Sequence, residues 1–459
     1  MSVPPRDRAT ATKDVDRKTL RRVIVAASVG TLFEWYDFYL YGSLAIFFGA
    51  FFFPSGNETA QLLASLATFG AGFGVRPLGA IVFGHIGDLV GRKYTFLITM
   101  FTMGASTALV GFLPSYATAG LAAPILLVAL RLLQGLALGG EYGGAATYIA
   151  EHVPDRNRGY YTSFIQTTAT LGFFLSMGAI GTMRLWLGED AFRDYGWRIP
   201  FLLSFVLLAV SLYIRLRMKE SPLFTELKKS GKTSANPLKE SFTNSLNLKY
   251  VLLALFGATA GQGVVWYTGQ FYALTFLQSV LGIDWSRAYV IVSAALLVTT
   301  PLFILFGALS DRIGRKKVML TGCLLAAVTY VPIYMAMHYF SNPLNWLMMI
   351  VLLCVQMVYV CMVYGPIAAF LVELFPTKIR YTSMSLPYHL GNGWFGGFLP
   401  LIATAVTAST WAKSTFGAGA IYTGLIYPIS ICLITLVVGG LLIRETKHHK
   451  IDADPRVIR

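Results

Sequence analysis

GHIGDLVGRK, residues 84–93, returns as GALSDRIGRK at 307–316, and the two copies decide the fold. Their offset is 223 residues, and a second pair, EHVPDRNR at 151–158 and ELFPTKIR at 373–380, repeats at 222. Two signals at nearly one offset indicate a duplicated half. Around them the 459-residue chain is 55% hydrophobic and only 13% charged, about half the charged share of a soluble chain. About 20 apolar residues cross a hydrocarbon core. Twelve such stretches are predicted, near 21–50, 60–87, 94–114, 121–150, 160–186, 198–217, 250–278, 288–309, 318–340, 345–374, 383–408 and 420–443. The expected fold is therefore an all-α integral membrane protein of twelve transmembrane helices in two pseudo-symmetric six-helix bundles. Its expected divisions are a tail at 1–20, a first bundle at 21–218, a polar linker at 219–248, a second bundle at 249–443 and a tail at 444–459.

The net charge of +15 is a matter of topology. With the N-terminus inside, the inner segments hold 30 of the 37 Lys and Arg and the outer loops five, namely Arg184, Arg193, Arg198, Arg287 and Lys413. That asymmetry is the positive-inside pattern and predicts both tails in the cytoplasm. No nucleic-acid footprint is implied. Trp186, Trp197, Trp285, Trp346 and Trp411 fall near outer helix ends, where amphipathic rings favour the interface. The charged first 22 residues run into a span too long for a cleavable leader, so the first helix is expected to stay as an anchor. The four cysteines fall in predicted helices, and Cys354 and Cys361, about 10.5 Å apart along an axis, are too far separated for a disulfide.

Enzyme readings find no support. The six histidines (85, 152, 338, 389, 448 and 449) have no metal-ligand spacing apart from the tail pair, and GLALGG at 135–140 lies inside a predicted span, not after a strand. No cofactor is implied.

Five charges lie deep: Glu34, Asp37, Arg76, Arg131 and Glu141. A charge at a helix centre costs about 2.5–3.5 kcal/mol, so it faces a partner or a wet cavity. Glu34 and Asp37 are an i, i+3 pair sharing a face with Tyr41, and they are the candidates for proton coupling. Counted together, the deep groups give −3 and +2, one negative charge in excess, so an entering anion would reinforce proton uptake. Arg76 and Arg131 offer guanidinium forks suited to a carboxylate. Tyr41, Gln134, Trp266, Tyr267, Gln270, Gln356 and Asn392 are the other candidate substrate contacts, and Gly261, Gly263 and Gly269 are expected to let their helix bend.

The repeated loops are read as a conformational latch. Gly84 and Gly91 permit a tight turn, Asp88 is placed to accept from a helix N-terminus, and Arg92 and Lys93 can pair with Glu151. Asp311, Arg312, Gly314 and Arg315 repeat the pattern, flanked by Arg158, Glu373 and Arg380, with Glu141 in a gating role.

GHIGDLVGRK resembles the cytoplasmic loop signature of the major facilitator superfamily. FEWYDFYLYG (33–42), FFPSGN (52–57), RPLGAIVFGHIGD (76–88), RLLQGLALGGEYGGA (131–145), GWRIPF (196–201) and ESPLF (220–224) resemble its metabolite:proton symporter family, over about residues 20–445. Leu89 stands where the signature usually has a basic residue. The resemblance implies a proton-driven carrier in a bacterial inner membrane, working as a monomer on a small-molecule substrate. The expected activity is import of a small organic acid by alternating access. A zwitterion such as a betaine or proline is the alternative, and a drug exporter or transport-inactive sensor a third.

Overall fold

The computed structural model describes residues 17–54, 56–90, 92–140, 142–216, 243–375, 380–447 and 449. Side chains are further limited to those outside 17–27, 84–90, 92–96, 144, 148, 151–152, 214–215 and 381. The linker expected at 219–248 therefore lies mostly outside the described residues.

Every regular element among the described residues is helical. Eight helices are long and apolar enough to span a bilayer, and a ninth arises if Glu189–Gly196 and Arg198–Tyr213, bent by 52°, form one span. Leu97–Val110 is a shorter apolar helix. Leu121, Ile125, Leu297, Val298 and Leu441 expose more than half of their surface, which for branched aliphatic side chains fits a lipid-facing belt. The chain is an all-α, multi-pass membrane protein.

Helix ends follow local chemistry. Asn57, Asn345 and Ser409 accept from the N–H three residues on, opening Glu58–Gly74, Trp346–Tyr364 and Thr410–Phe416. The second stretch is two helices, Glu58–Gly74 and Arg76–Val90. Pro77 has no N–H to donate to a continuing helix, so it is tolerated in the first turn of the new one. The helix over Ser245–Val280 contains three wide turns, Leu255–Thr259, Thr268–Tyr272 and Phe276–Val280. Such turns insert a residue and rotate the face that follows. The expected glycine bend is thus replaced: a Cβ on Gly263 would strike the Gly391 carbonyl and one on Gly261 the Thr435 side chain, so these glycines allow close packing.

Residues before 217 and after 242 meet along a seam closed at both ends. Helices Arg158–Leu187 and Trp285–Ile313 cross where Gly159 and Gly307 abut. At the other end Tyr289 Oη donates to the Ser43 carbonyl, Trp394 Nε1 donates to the Gly74 carbonyl at 3.0 Å, and Phe398 fills the space beside Gly70. Aromatic rings fill the middle, with Phe271 lying 4.1 Å from Phe173, 4.9 Å from Tyr39 and 5.1 Å from Phe69 between centroids.

Candidate functional site

Glycines place Arg76. A Cβ on Gly135 would strike the Gly72 carbonyl, one on Gly79 the Leu136 carbonyl, and one on Gly139 the Arg76 carbonyl. Helix Ala122–Gly139 therefore packs backbone to backbone on the broken second span. Arg76 is fully buried at this crossing, its guanidinium 5.4 Å from the Trp35 ring centroid and 5.3 Å from that of Phe73. Its Nε, Nη1 and Nη2 all lack a hydrogen-bond partner among the described residues.

Arg131 is equally buried but anchored. Its Nη1 donates to the Phe38 carbonyl at 3.2 Å and to Gln134 Oε1 at 2.6 Å, and its guanidinium carbon lies 4.1 Å from the Phe38 ring and 4.7 Å from that of Tyr41. Gln134 passes the chain on to Thr107 at 2.9 Å, and Tyr41 Oη donates to the Ser65 carbonyl at 3.0 Å. Arg131 Nη1, Gln134 and Tyr41 thus form a hydrogen-bonded network, while Arg131 Nε and Nη2 have no hydrogen-bond partner among the described residues. The two arginines looked equivalent in the sequence, and they differ in partners.

Glu34 and Asp37 are each 4% exposed. Asp37 accepts from Ser204 Oγ at 2.5 Å, so its carboxylate turns toward helix Arg198–Leu216, while Tyr39 on the same helix faces the seam. The helical period of 100° per residue separates these faces.

Across the seam, Trp266 stacks on Tyr39 at 5.4 Å and Tyr267 meets Phe73 edge-on at 5.1 Å. Trp266 Nε1 and Gln270 Oε1 have no hydrogen-bond partner among the described residues, although Gln270 Nε2 donates to Thr170 Oγ1 at 3.4 Å. Asn392 and Gln262 satisfy each other through reciprocal bonds of 2.9 and 3.0 Å, and Gln356 Nε2 lies against Met337 Sδ at 3.5 Å. The structure therefore brings Arg76, Trp266 and Tyr267 around the same aromatic cluster and holds Asn392 in a side-chain pair of its own.

One residue of this region carried no site assignment from the sequence. His389, treated there as a histidine without metal-ligand spacing, is fully buried, with neither ring nitrogen hydrogen-bonded among the described residues. Nothing in PYHLGN marks it, because its meaning depends on which helix faces it.

The latch is built around Glu373. Fully buried, it accepts from Arg158 Nη1 at 2.8 Å, from Arg315 Nη2 at 3.1 Å and from Thr446 Oγ1 at 2.7 Å. Arg315 Nη1 also pairs with Asp311 at 2.6 Å, and Arg158 pairs with Asp155. Asp311 accepts from the backbone N–H of Gly159 and Tyr160 at 2.9 and 2.8 Å, closing the N-terminus of the facing helix Arg158–Leu187. Gly314 has φ +116°, and a Cβ there would collide with Glu445, which accepts from the N–H of Arg315 at 2.7 Å and of Lys316 at 3.1 Å. Arg312 contributes its carbonyl to Lys447 Nζ at 3.0 Å, and Arg380 Nε donates to the Phe375 carbonyl at 3.1 Å. Gly91 and Glu141 lie outside the described residues, as do the side chains of Asp88, Arg92, Lys93 and Glu151 and the surroundings of Gly84.

Asp311→Asn removes the charge from two backbone bonds and one ion pair. The expected result is about a tenfold shift toward the state open on this face. Labelling of single cysteines from each side of the membrane checks it; unchanged labelling with weakened ligand binding would contradict a latch.

Residues 27–387 match the family model of the Major Facilitator Superfamily. The chain is 35% identical over 94% of its length to the inner membrane metabolite transport protein YhjE of Escherichia coli K12, covering 95% of that protein. It is 37% identical to the alpha-ketoglutarate permease of the same organism, over 84% of this chain and 88% of the permease. Among solved structures, that of a D-xylose–proton symporter superposes with a TM-score of 0.70 at 18% identity, over 93% of this chain and 98% of that one, a likeness of fold.

Proposed function

Because this chain belongs to the major facilitator superfamily, we propose that it is a proton-coupled symporter importing a small organic acid by alternating access between bundles 21–218 and 249–443. Arg76 carries the reading. A buried guanidinium with three unpaired nitrogens sits in the costliest environment for an uncompensated cation, and a carboxylate relieves it with a bidentate pair. Arg131, already held by Phe38 and Gln134, supports the site from behind.

Charge placement along the chain assigns the Glu373 face and both tails to the cytoplasm. The alpha-ketoglutarate permease and an inner membrane protein among the relatives favour an acid and a bacterial inner membrane. Glu34 and Asp37 are the assigned proton carriers, since both are buried carboxylates on the helix whose opposite face lines the seam. The protein acts as a monomer, each bundle supplying one wall.

Uptake into proteoliposomes under an imposed pH gradient, across organic acids, betaines and sugars, tests the substrate class. Asp37→Asn and Glu34→Gln should lose gradient-driven accumulation and keep substrate exchange. Full accumulation in both single variants and the double variant would assign the proton elsewhere. A second reading, a zwitterion carrier, draws on the Trp266–Tyr39 stack, whose faces suit a quaternary ammonium; uptake of betaines in preference to acids would establish it.

A further inference from the structure

Helix Arg380–Leu390, after the linker, packs on helix Arg76–Val90, before it. One turn beyond His389, a Cβ on Gly393 would strike the carbonyl of Phe73, three residues before Arg76, so the two helices bring His389 alongside Arg76. Both side chains are fully buried, and between them five nitrogens make no hydrogen bond of normal geometry among the described residues. The Gly139 carbonyl faces the imidazole without meeting normal hydrogen-bond geometry.

The surrounding hydroxyls are already committed. Tyr388 and Tyr364 share a 2.7 Å bond, and Tyr142, its ring stacked 3.5 Å from that of Tyr388, accepts from Gln166 Nε2 at 2.7 Å. Among the described residues Arg76 and His389 are left, with Trp266 Nε1 and Ser385 Oγ, as the open polar groups of this region. A histidine kept only for packing would have its ring nitrogens satisfied, since buried polar groups are paired as a rule.

Resting on the organic-acid reading above, we propose that His389 is a substrate ligand supplied by the second bundle, binding a hydroxyl or carbonyl oxygen of the acid whose carboxylate sits on Arg76. A neutral imidazole presents one N–H donor and one bare nitrogen acceptor. It can donate to an oxo oxygen or accept from a hydroxyl. A plain alkyl acid satisfies Arg76 and leaves the ring unpaired, and a site built to hydrogen-bond a polar group discriminates against analogues that lack it. The preferred substrate is then a hydroxy or oxo acid. Because Arg76 and His389 lie on opposite sides of the linker, such a ligand also ties the two bundles together.

The test is binding to the purified full chain of acids matched in length, a 2-oxo or 2-hydroxy acid against its unsubstituted counterpart. The wild-type protein should prefer the substituted acid by roughly 10- to 100-fold, the range expected of one or two buried hydrogen bonds. His389→Leu should reduce that preference to within a few fold while leaving the alkyl acid unchanged, and His389→Asn, which keeps a donor and an acceptor, should retain part of it. Preference undiminished in His389→Leu overturns the proposal. Arg76→Gln should lose both acids; if it binds both normally, or the wild-type protein binds neither, the organic-acid reading has failed instead. Should the leucine variant not fold, histidine-selective ¹⁵N spectra of the wild-type protein decide: the ring signal lost in His389→Asn should move with the 2-oxo acid and not with the alkyl acid. No movement overturns the assignment.

Discussion

Arg76→Gln should weaken binding of an organic acid by about 100-fold or more, and Arg76→Lys should recover little of it. Two charge-assisted hydrogen bonds to one carboxylate contribute on the order of 3–6 kcal/mol, and every 1.4 kcal/mol is a factor of ten. Glutamine is short of both the charge and the fork, whereas lysine restores the charge without the planar pair of donors. The same changes at Arg131 should act differently. Its guanidinium is pinned by the Phe38 carbonyl, Gln134 and the Phe38 and Tyr41 rings, so Arg131→Lys should lower thermal stability of the purified protein as well as affinity. Titration calorimetry with thermal denaturation separates the two. Wild-type affinity in Arg76→Lys would remove it from the anion site.

Glu373→Gln is expected to open the face that carries Arg158, Arg315 and Thr446. One buried carboxylate there receives two buried guanidinium groups and a threonine hydroxyl. Removing one partner of a buried ion pair costs about 3–5 kcal/mol because the remaining charge is stranded. In a soluble core that cost would appear as unfolding. Here Arg158 and Arg315 lie on opposite sides of the seam, and separating the bundles returns both to water, so the cost should appear as a shift of about 100-fold or more toward the open state. Distances between spin labels on the two sides, at positions flanking residues 158 and 315, measure it. An unchanged distance distribution together with a large loss of thermal stability would make Glu373 a folding residue and not a latch. Thr446→Ala should shift the same equilibrium in the same direction by a smaller factor, since it removes one hydroxyl donor and no charge.

Most of the architecture was legible before any tertiary information. The predicted spans at 160–186, 288–309 and 318–340 correspond to helices Arg158–Leu187, Trp285–Ile313 and Arg315–Tyr339. Length and apolarity decide a transmembrane helix because its backbone hydrogen bonds are all internal. The repeat at 307–316 likewise located Asp311 and Arg315 at a turn between spans, although their partners Gly159, Tyr160 and Glu373 came only with the fold. The three wide turns of Ser245–Val280 escaped the sequence, since a wide turn reflects packing demands that leave no composition of their own.

Composition and spacing by themselves determined the class, spans such as 160–186 and 288–309, and the buried charges Glu34, Asp37, Arg76 and Arg131. Only the tertiary structure decided which charges are spent. Arg76 and Arg131 are the same buried residue type and both lie over aromatic rings, yet among the described residues the Arg76 side chain makes no hydrogen bond whereas Arg131 Nη1 donates to a carbonyl and an amide oxygen. Glu373 gains its meaning from Arg158, 215 positions away, and from Thr446. His389 gains its meaning from a helix that precedes it by some three hundred residues. Hydrogen bonds act over about 3 Å, so pairing between remote segments leaves no trace in local sequence and exists only once the helices have packed.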